Sequence, residues 1–277
     1  MDTLFHDDFR GGLRGEGPDA AWQIRTTAYG PGGDGTVRGH PDRVEIAPVG
    51  RHPATGEPAF TPLGDPEPPT AFIRWMAVVR TPGAEHFETD GISTLTSTAE
   101  LAVRVSGAEA PDGAAAASIN DLRAGAGGLI AYERPSGLVF DLALGRRWIH
   151  AVYERLPLPG TDYRAYSYAV PVALVRPDAF HRCSISLNPA EGAVTWIVDG
   201  EAVLRVDEIG STRFDDEHLL WERPGRPETV RPQRLGFGLA TMASAARGQG
   251  VRLGVRRFAV AAELAVPASR LTEGGVR

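Results

Sequence analysis

Lysine is absent from the 277-residue chain: all 29 basic residues are arginine. A GC-rich coding bias accounts for this, and the chemical consequence holds whatever the cause. There can be no Schiff-base lysine, no pyridoxal phosphate attachment and no Walker lysine. The single cysteine, Cys183, excludes an internal disulfide framework and a zinc site built from several thiolates. No G-x-G-x-x-G follows a strand signal, which removes support for a dinucleotide fold. Asn120 and Asn188 are the only asparagines, and neither stands in an N-x-S/T site. No apolar run approaches the roughly 18 residues of a membrane span. The opening "MDTLFHDDFRGGL" lacks the basic-then-apolar order of a secretory signal. A formal net charge of -6 gives no pull toward nucleic acid or an anionic membrane. These absences together predict a cytoplasmic, cofactor-free protein with a small-molecule partner.

What the chain does contain is glycine (33), proline (22) and a 42% hydrophobic fraction, enough for a real core. From residue 71 onward strand signals dominate. "AFIRWMAVVR", "GISTLTSTAELAVRV", "GGLIAYERPSGLVFDLAL", "RWIHAVYERL", "YAVPVALV", "HRCSISLN", "VTWIVDG" and "VLRVDEIG" are short, rich in β-branched or aromatic residues, and bounded by Gly, Pro or Asp. This pattern predicts an all-β sandwich or jelly roll with little helix, as one domain over 1–277. The one helical turn expected lies near Arg213 to Leu220, where "FDDEHLL" puts acids ahead of leucines. Residues 30–70 are dense in Gly and Pro. They suit a long surface excursion with one or two edge strands such as "RVEIAPV", or a lid over one sheet face. The stretch after Ala262 reads as a terminal tail.

Three features follow one another along the chain: "LFHDDFRGGL" with Trp22 at the start, the hairpin "TWIVDGEAVLRV", and "RLGFGLATM" with "VRLGVRRFAVA" at the end. Together they resemble the concanavalin A-like jelly roll of laminarinase-type glucanases and related lectins. The middle, "SGLVFDLAL" to "YSYAVPVAL", is more similar to a family of uncharacterised sandwich proteins. The resemblance implies two antiparallel sheets and paired first and last strands. It also implies, for a glucanase, an E-x-D-x-E triplet that places its acids on one strand face. None of the 18 glutamates stands in such a triplet. Glucanase chemistry is therefore not expected, since fold does not imply function.

Strand alternation assigns polar residues to faces. Leu101, Val103 and Val105 oppose Glu100 and Arg104; Leu138, Phe140 and Leu142 oppose Asp141; Trp148, His150 and Glu154 oppose Tyr153; Cys183, Ile185 and Leu187 oppose Arg182. The expectation is a concave-face cluster with Glu154, His150, Asp141 and Glu100 as acid/base groups. Arg104, Arg182, Tyr153, Tyr166, Tyr168 and Trp148 would hold substrate. Ordinary ion pairing on a solvated face is the bland alternative. A real pocket would raise one carboxylate's pKa toward neutrality. No metal site is expected; Asp7 with Asp8 and Asp215 with Asp216 are the only weak cation candidates, and the acids of the latter pair are equally explained by a helix start. Cys183 reads as a core thiol. "Tyr-Glu-Arg" occurs at 132–134 and again at 153–155.

Three functions fit these residues. The first is a cofactor-free cyclase, isomerase or lyase, or a binding protein derived from one, acting on a small metabolite. The second is a carbohydrate-binding or carbohydrate-active sandwich. The third is an interaction module.

Overall fold

The computed structural model describes residues 1–17, 19–63, 72–81, 85–107, 122–176, 179–244 and 248–265. They build two stacked antiparallel sheets. The eight-stranded sheet runs β14 (Glu201–Val206), β13 (Ala193–Val198), β12 (His181–Asn188), β7 (Ile92–Ser106), β17 (Gly250–Leu264), β4 (Arg43–Ala47), β3 (Thr36–His40), with β1 (Asp2–Asp7) also on β17. The nine-stranded sheet runs β15 (Leu219–Arg223), β11 (Ala165–Leu174), β10 (Trp148–Arg155), β9 (Leu138–Leu144), β8 (Ala126–Glu133), β16 (Arg234–Met242), β5 (Ile73–Val79), β2 (Trp22–Ile24), with β6 (Phe87–Glu88) on β16. The expected pairing of first and last strands is present, Asp7 opposite Phe258.

Period-2 alternation puts one face of each strand into the space between the sheets. Leu138, Phe140 and Leu142 of β9 meet Cys183, Ile185 and Leu187 of β12 in one buried core. Trp196 of β13 lies at its centre, edge-on to Phe140 at 5.9 Å and to Tyr153 at 6.3 Å. Its indole N–H donates across the core to the backbone carbonyl of Asp141 at 2.9 Å. That bond ties β13 of one sheet to β9 of the other.

The hairpin "VDGE" turns through Asp199 (φ 51°) and Gly200 (φ 92°), both left-handed, as a tight two-residue connection requires. The Asp199 carboxylate accepts the Arg182 backbone N–H at 2.9 Å and faces His181 Nδ1 at 2.9 Å. Partial burial works against its ionisation, but these hydrogen bonds, with Arg176 beside them, hold its carboxyl below the usual range.

Three expectations need correction. Residues 36–47 of the Gly/Pro-rich excursion are no lid: β3 and β4 extend the eight-stranded sheet at its edge, because backbone pairing there satisfies N–H and C=O groups that a lid would leave to solvent. Residues 64–70 lie outside the described residues. The helical turn near 213–220 shrinks to a 3-10 turn at Asp216–His218, and its leucines belong to β15, paired to β11. Finally, β17 continues to Leu264, so the expected tail begins later, and 266–277 lie outside the described residues.

Candidate functional site

Alternation tells inside from outside, but a sandwich has two outsides. Glu100 and Arg104 stand on β7 and Arg182 on β12, all on the eight-stranded sheet. There Arg182 pairs opposite Glu100, whose carboxylate lies 3.6 Å from Arg257. Asp141, His150 and Glu154 stand on the other sheet and face the opposite way, with the core between. The expected ten-residue cluster is therefore split, because strand pairing rather than alternation decides which sheet a strand joins. The tyrosines are also corrected. Tyr153, Tyr166 and Tyr168 point into the core. The Tyr153 hydroxyl accepts the Gly210 N–H at 2.6 Å, and Tyr168 accepts from Arg164 at 2.6 Å. These phenols are structural.

The weak cation candidates are otherwise engaged. Asp7 is buried; it accepts the Phe9 N–H at 2.9 Å and the Trp22 indole N–H at 2.9 Å, and so anchors the loop after β1. Asp8 pairs with Arg10 on the surface. Asp215 and Asp216 are exposed at the 3-10 turn. Among the described residues no group of three or more His, Cys, Asp or Glu could hold a metal ion.

What remains is the outer face of the nine-stranded sheet. Cross-strand registers place Trp221, Ser167, Glu154, Val139, Tyr132 and Gly236 in one row, each on the next strand. The adjoining row is Ala169, Val152, Asp141, Ile130 and Gly238. His150, opposite Ala143, is buried in the row after that, and Trp148 ends the strand beyond it. Asp141 and Glu154 are thus diagonal neighbours on adjacent strands, with α-carbons about 7–8 Å apart.

Their setting is apolar. Ile130, Val152, Ala143 and Ala169 are all buried around Asp141. Asp141 is itself buried, and its Oδ1 has no hydrogen-bond partner. Burial first, and the nearby Glu154 charge second, push its carboxyl well above the ordinary range, with a backbone hydrogen bond at Ala131 opposing them in part. Glu154 is partly buried and accepts the Ser167 hydroxyl. Burial raises its pKa too, and the Ser167 bond partly offsets this. Burial thus works against ionisation of both carboxyls, and at Asp141 the neighbouring Glu154 adds to it. A carboxyl raised in this way beside a second one can donate a proton to a ligand oxygen and take one back.

The floor depends on close strand approach. A β-carbon at Gly128 would fall 2.0 Å from the Leu142 carbonyl oxygen, so β8 and β9 can close up in the row of Ala143 and His150, next to Asp141, only with glycine there. At the rim, Trp221 is 37% exposed in the row of Glu154. Ser167, Trp221 and Tyr132 were not among the expected site residues. Alternation in "AYSYAV" puts Ser167 opposite the tyrosines, a signal that was present. No local pattern announces Trp221.

A model of a family of unknown function, DUF6081, matches residues 6–264. No curated protein matches the chain. Among solved structures, the catalytic domain of an endo-1,3-β-glucanase (laminarinase) from Thermotoga petrophila RKU-1 superposes with a TM-score of 0.52 at 12% identity, covering 96% of this chain and 100% of that chain. A Crh5 transglycosylase in complex with NAG gives 0.49 at 15% identity, covering 95% and 85%. At 12% identity the laminarinase likeness establishes the jelly-roll fold alone.

Proposed function

The chain belongs to the DUF6081 family, with every strand except the start of β1 inside the matched span, and we propose from that premise that the sandwich is a carbohydrate-directed protein. Its binding face is the outer side of the nine-stranded sheet. The observation that carries this reading is the row from Trp221 through Glu154 to Tyr132: two aromatic rings flank an acid on one surface, with the buried carboxyl of Asp141 one row away. Sugar rings offer apolar C–H faces to aromatics and hydroxyls to carboxylates, so an aromatic–acid–aromatic row suits them. The acid pair then supplies proton transfer at a C–O bond. It does not reproduce the one-strand acid triplet of a laminarinase-type glucanase, and hydrolysis of β-1,3 or β-1,4 glucans is not part of the proposal. The laminarinase superposition agrees at the level of fold only.

The aliphatic bed around Asp141 favours a second reading, a cofactor-free isomerase or lyase for a small metabolite, in which Asp141 protonates the substrate. A saccharide-binding screen followed by Trp221 fluorescence separates the two. Under the carbohydrate reading, oligosaccharides quench or shift the emission, and Trp221→Ala removes binding while the melting temperature stays put. An oligosaccharide panel without any ligand, or binding indifferent to Trp221→Ala and Glu154→Gln, refutes it.

A further inference from the structure

Beyond Tyr132 the same face opens into a cavity of about 230 Å³. Tyr132 forms one wall by lying against β16: a β-carbon at Gly236 would fall 2.5 Å from the phenol ring. Glycine at 236 is what lets the ring rest there.

The charges lining this cavity balance, Glu85 and Glu133 against Arg134 and Arg234, but they are not paired with one another. Glu85 is engaged by Arg25, and His86 by Glu88 at 2.9 Å. Glu133 is buried; its Oε1 accepts the backbone N–H groups of Gln233 at 2.6 Å and Arg234 at 3.2 Å, and its Oε2 accepts the Ser136 hydroxyl. That leaves two guanidinium groups outside any salt bridge among the described residues, Arg234 standing opposite Glu88 in the β6 register. Arg134 is exposed, 5.9 Å from the Tyr132 ring centre, and the Arg234 guanidinium lies 3.5 Å from His86. A protein of net charge -6 thus keeps two arginines without a salt bridge beside an aromatic wall at the end of its acid-bearing row.

We propose that this cavity is a subsite for an anionic sugar unit, with the ring on Tyr132 and the acid group held by Arg134 and Arg234. The proposal rests on the carbohydrate reading above. Guanidinium forks match carboxylate and sulfate oxygens in shape and charge, so a hexuronate and a sulfated sugar share the required chemistry. Tyr132 lies two strands from Glu154, about 10 Å along the sheet. A neighbouring unit of the same chain can therefore lie over the acid pair.

The test is titration calorimetry with three oligosaccharides of equal length: tetragalacturonate, a sulfated carrageenan tetrasaccharide and cellotetraose. One or both anionic oligomers should bind about tenfold more tightly than cellotetraose at low salt, a preference of about 1.4 kcal/mol. The double variant Arg134→Gln/Arg234→Gln should bring that preference down to near parity. Which anionic oligomer responds tells carboxylate from sulfate. Arg134→Gln alone, at an exposed position, guards against a misfolded double variant. Gly236→Ala should weaken the anionic ligand by displacing the Tyr132 ring. Equal affinity for all three ligands, or an anionic preference that survives both arginine substitutions, overturns the subsite. Binding of cellotetraose alone overturns the subsite and leaves the carbohydrate reading standing, whereas no binding of any of the three overturns both.

Discussion

Replacing Asp141 by Asn should stabilise the protein at neutral pH, by an amount that grows with pH. The side chain is buried among Ile130, Val152, Ala143 and Ala169, and burial together with Glu154 holds its pKa well above the ordinary carboxylate value. In the unfolded chain the same group ionises near pH 3.9. Between that pH and the raised folded-state value, the folded protein binds one proton more than the unfolded one. Stability then falls as pH rises, by about 1.4 kcal/mol per pH unit for one such proton. The contribution of the protonated group is full below about pH 3.9 and is lost toward the folded-state pKa. Asparagine nearly matches the neutral acid in shape and does not titrate, so the variant lacks this slope. For a chain of this length 1.4 kcal/mol corresponds to about 2 °C in melting temperature. Thermal melts by circular dichroism from pH 4 to pH 8 should show the wild-type and Asp141→Asn curves diverging by about 2 °C per pH unit from pH 4 up to the folded-state pKa of Asp141, the variant higher. Curves parallel over the whole range from pH 4, or a variant that is lower throughout, would show that Asp141 ionises normally in the fold, and the acid-pair argument would fall with it.

Two further outcomes follow from the core. Trp196→Phe removes the indole donor that holds the Asp141 carbonyl across the sandwich; chemical denaturation should show a loss of about 1–3 kcal/mol, and the pH dependence assigned to Asp141 should change with it. Cys183 is fully buried, and burial, with the Asp199 charge beyond it, pushes its thiol pKa up. Ellman's reagent should therefore leave the native protein untouched at pH 8 and titrate one thiol once the chain is denatured; rapid labelling of the native protein would contradict the strand assignment.

Much of the fold is legible in one dimension because strand formation is a local matter of period and punctuation. The alternation of Leu138, Phe140 and Leu142, the Asp199-Gly200 turn and the basic–apolar final strand each carry their own signal, and each is found where the residues put it. The candidate site was only half legible. Alternation correctly set Asp141 and Glu154 against the core, yet it grouped them with Glu100, Arg104 and Arg182, which ended on the far sheet. The repeated Tyr-Glu-Arg shows the reason most directly. In the first copy Tyr132 faces outward and Glu133 is buried; in the second Tyr153 enters the core and Glu154 faces outward. Identical triplets took opposite phases because the register of a strand is set by its neighbours and by the apolar residues beside the triplet. The sequence by itself determined which residues alternate and where the chain turns. Only the tertiary structure decided which strands became neighbours, and so brought Trp221, Glu154 and Tyr132 into one row. The physical reason is that hydrogen-bonded pairing between distant segments depends on the burial of whole faces, which no short stretch contains.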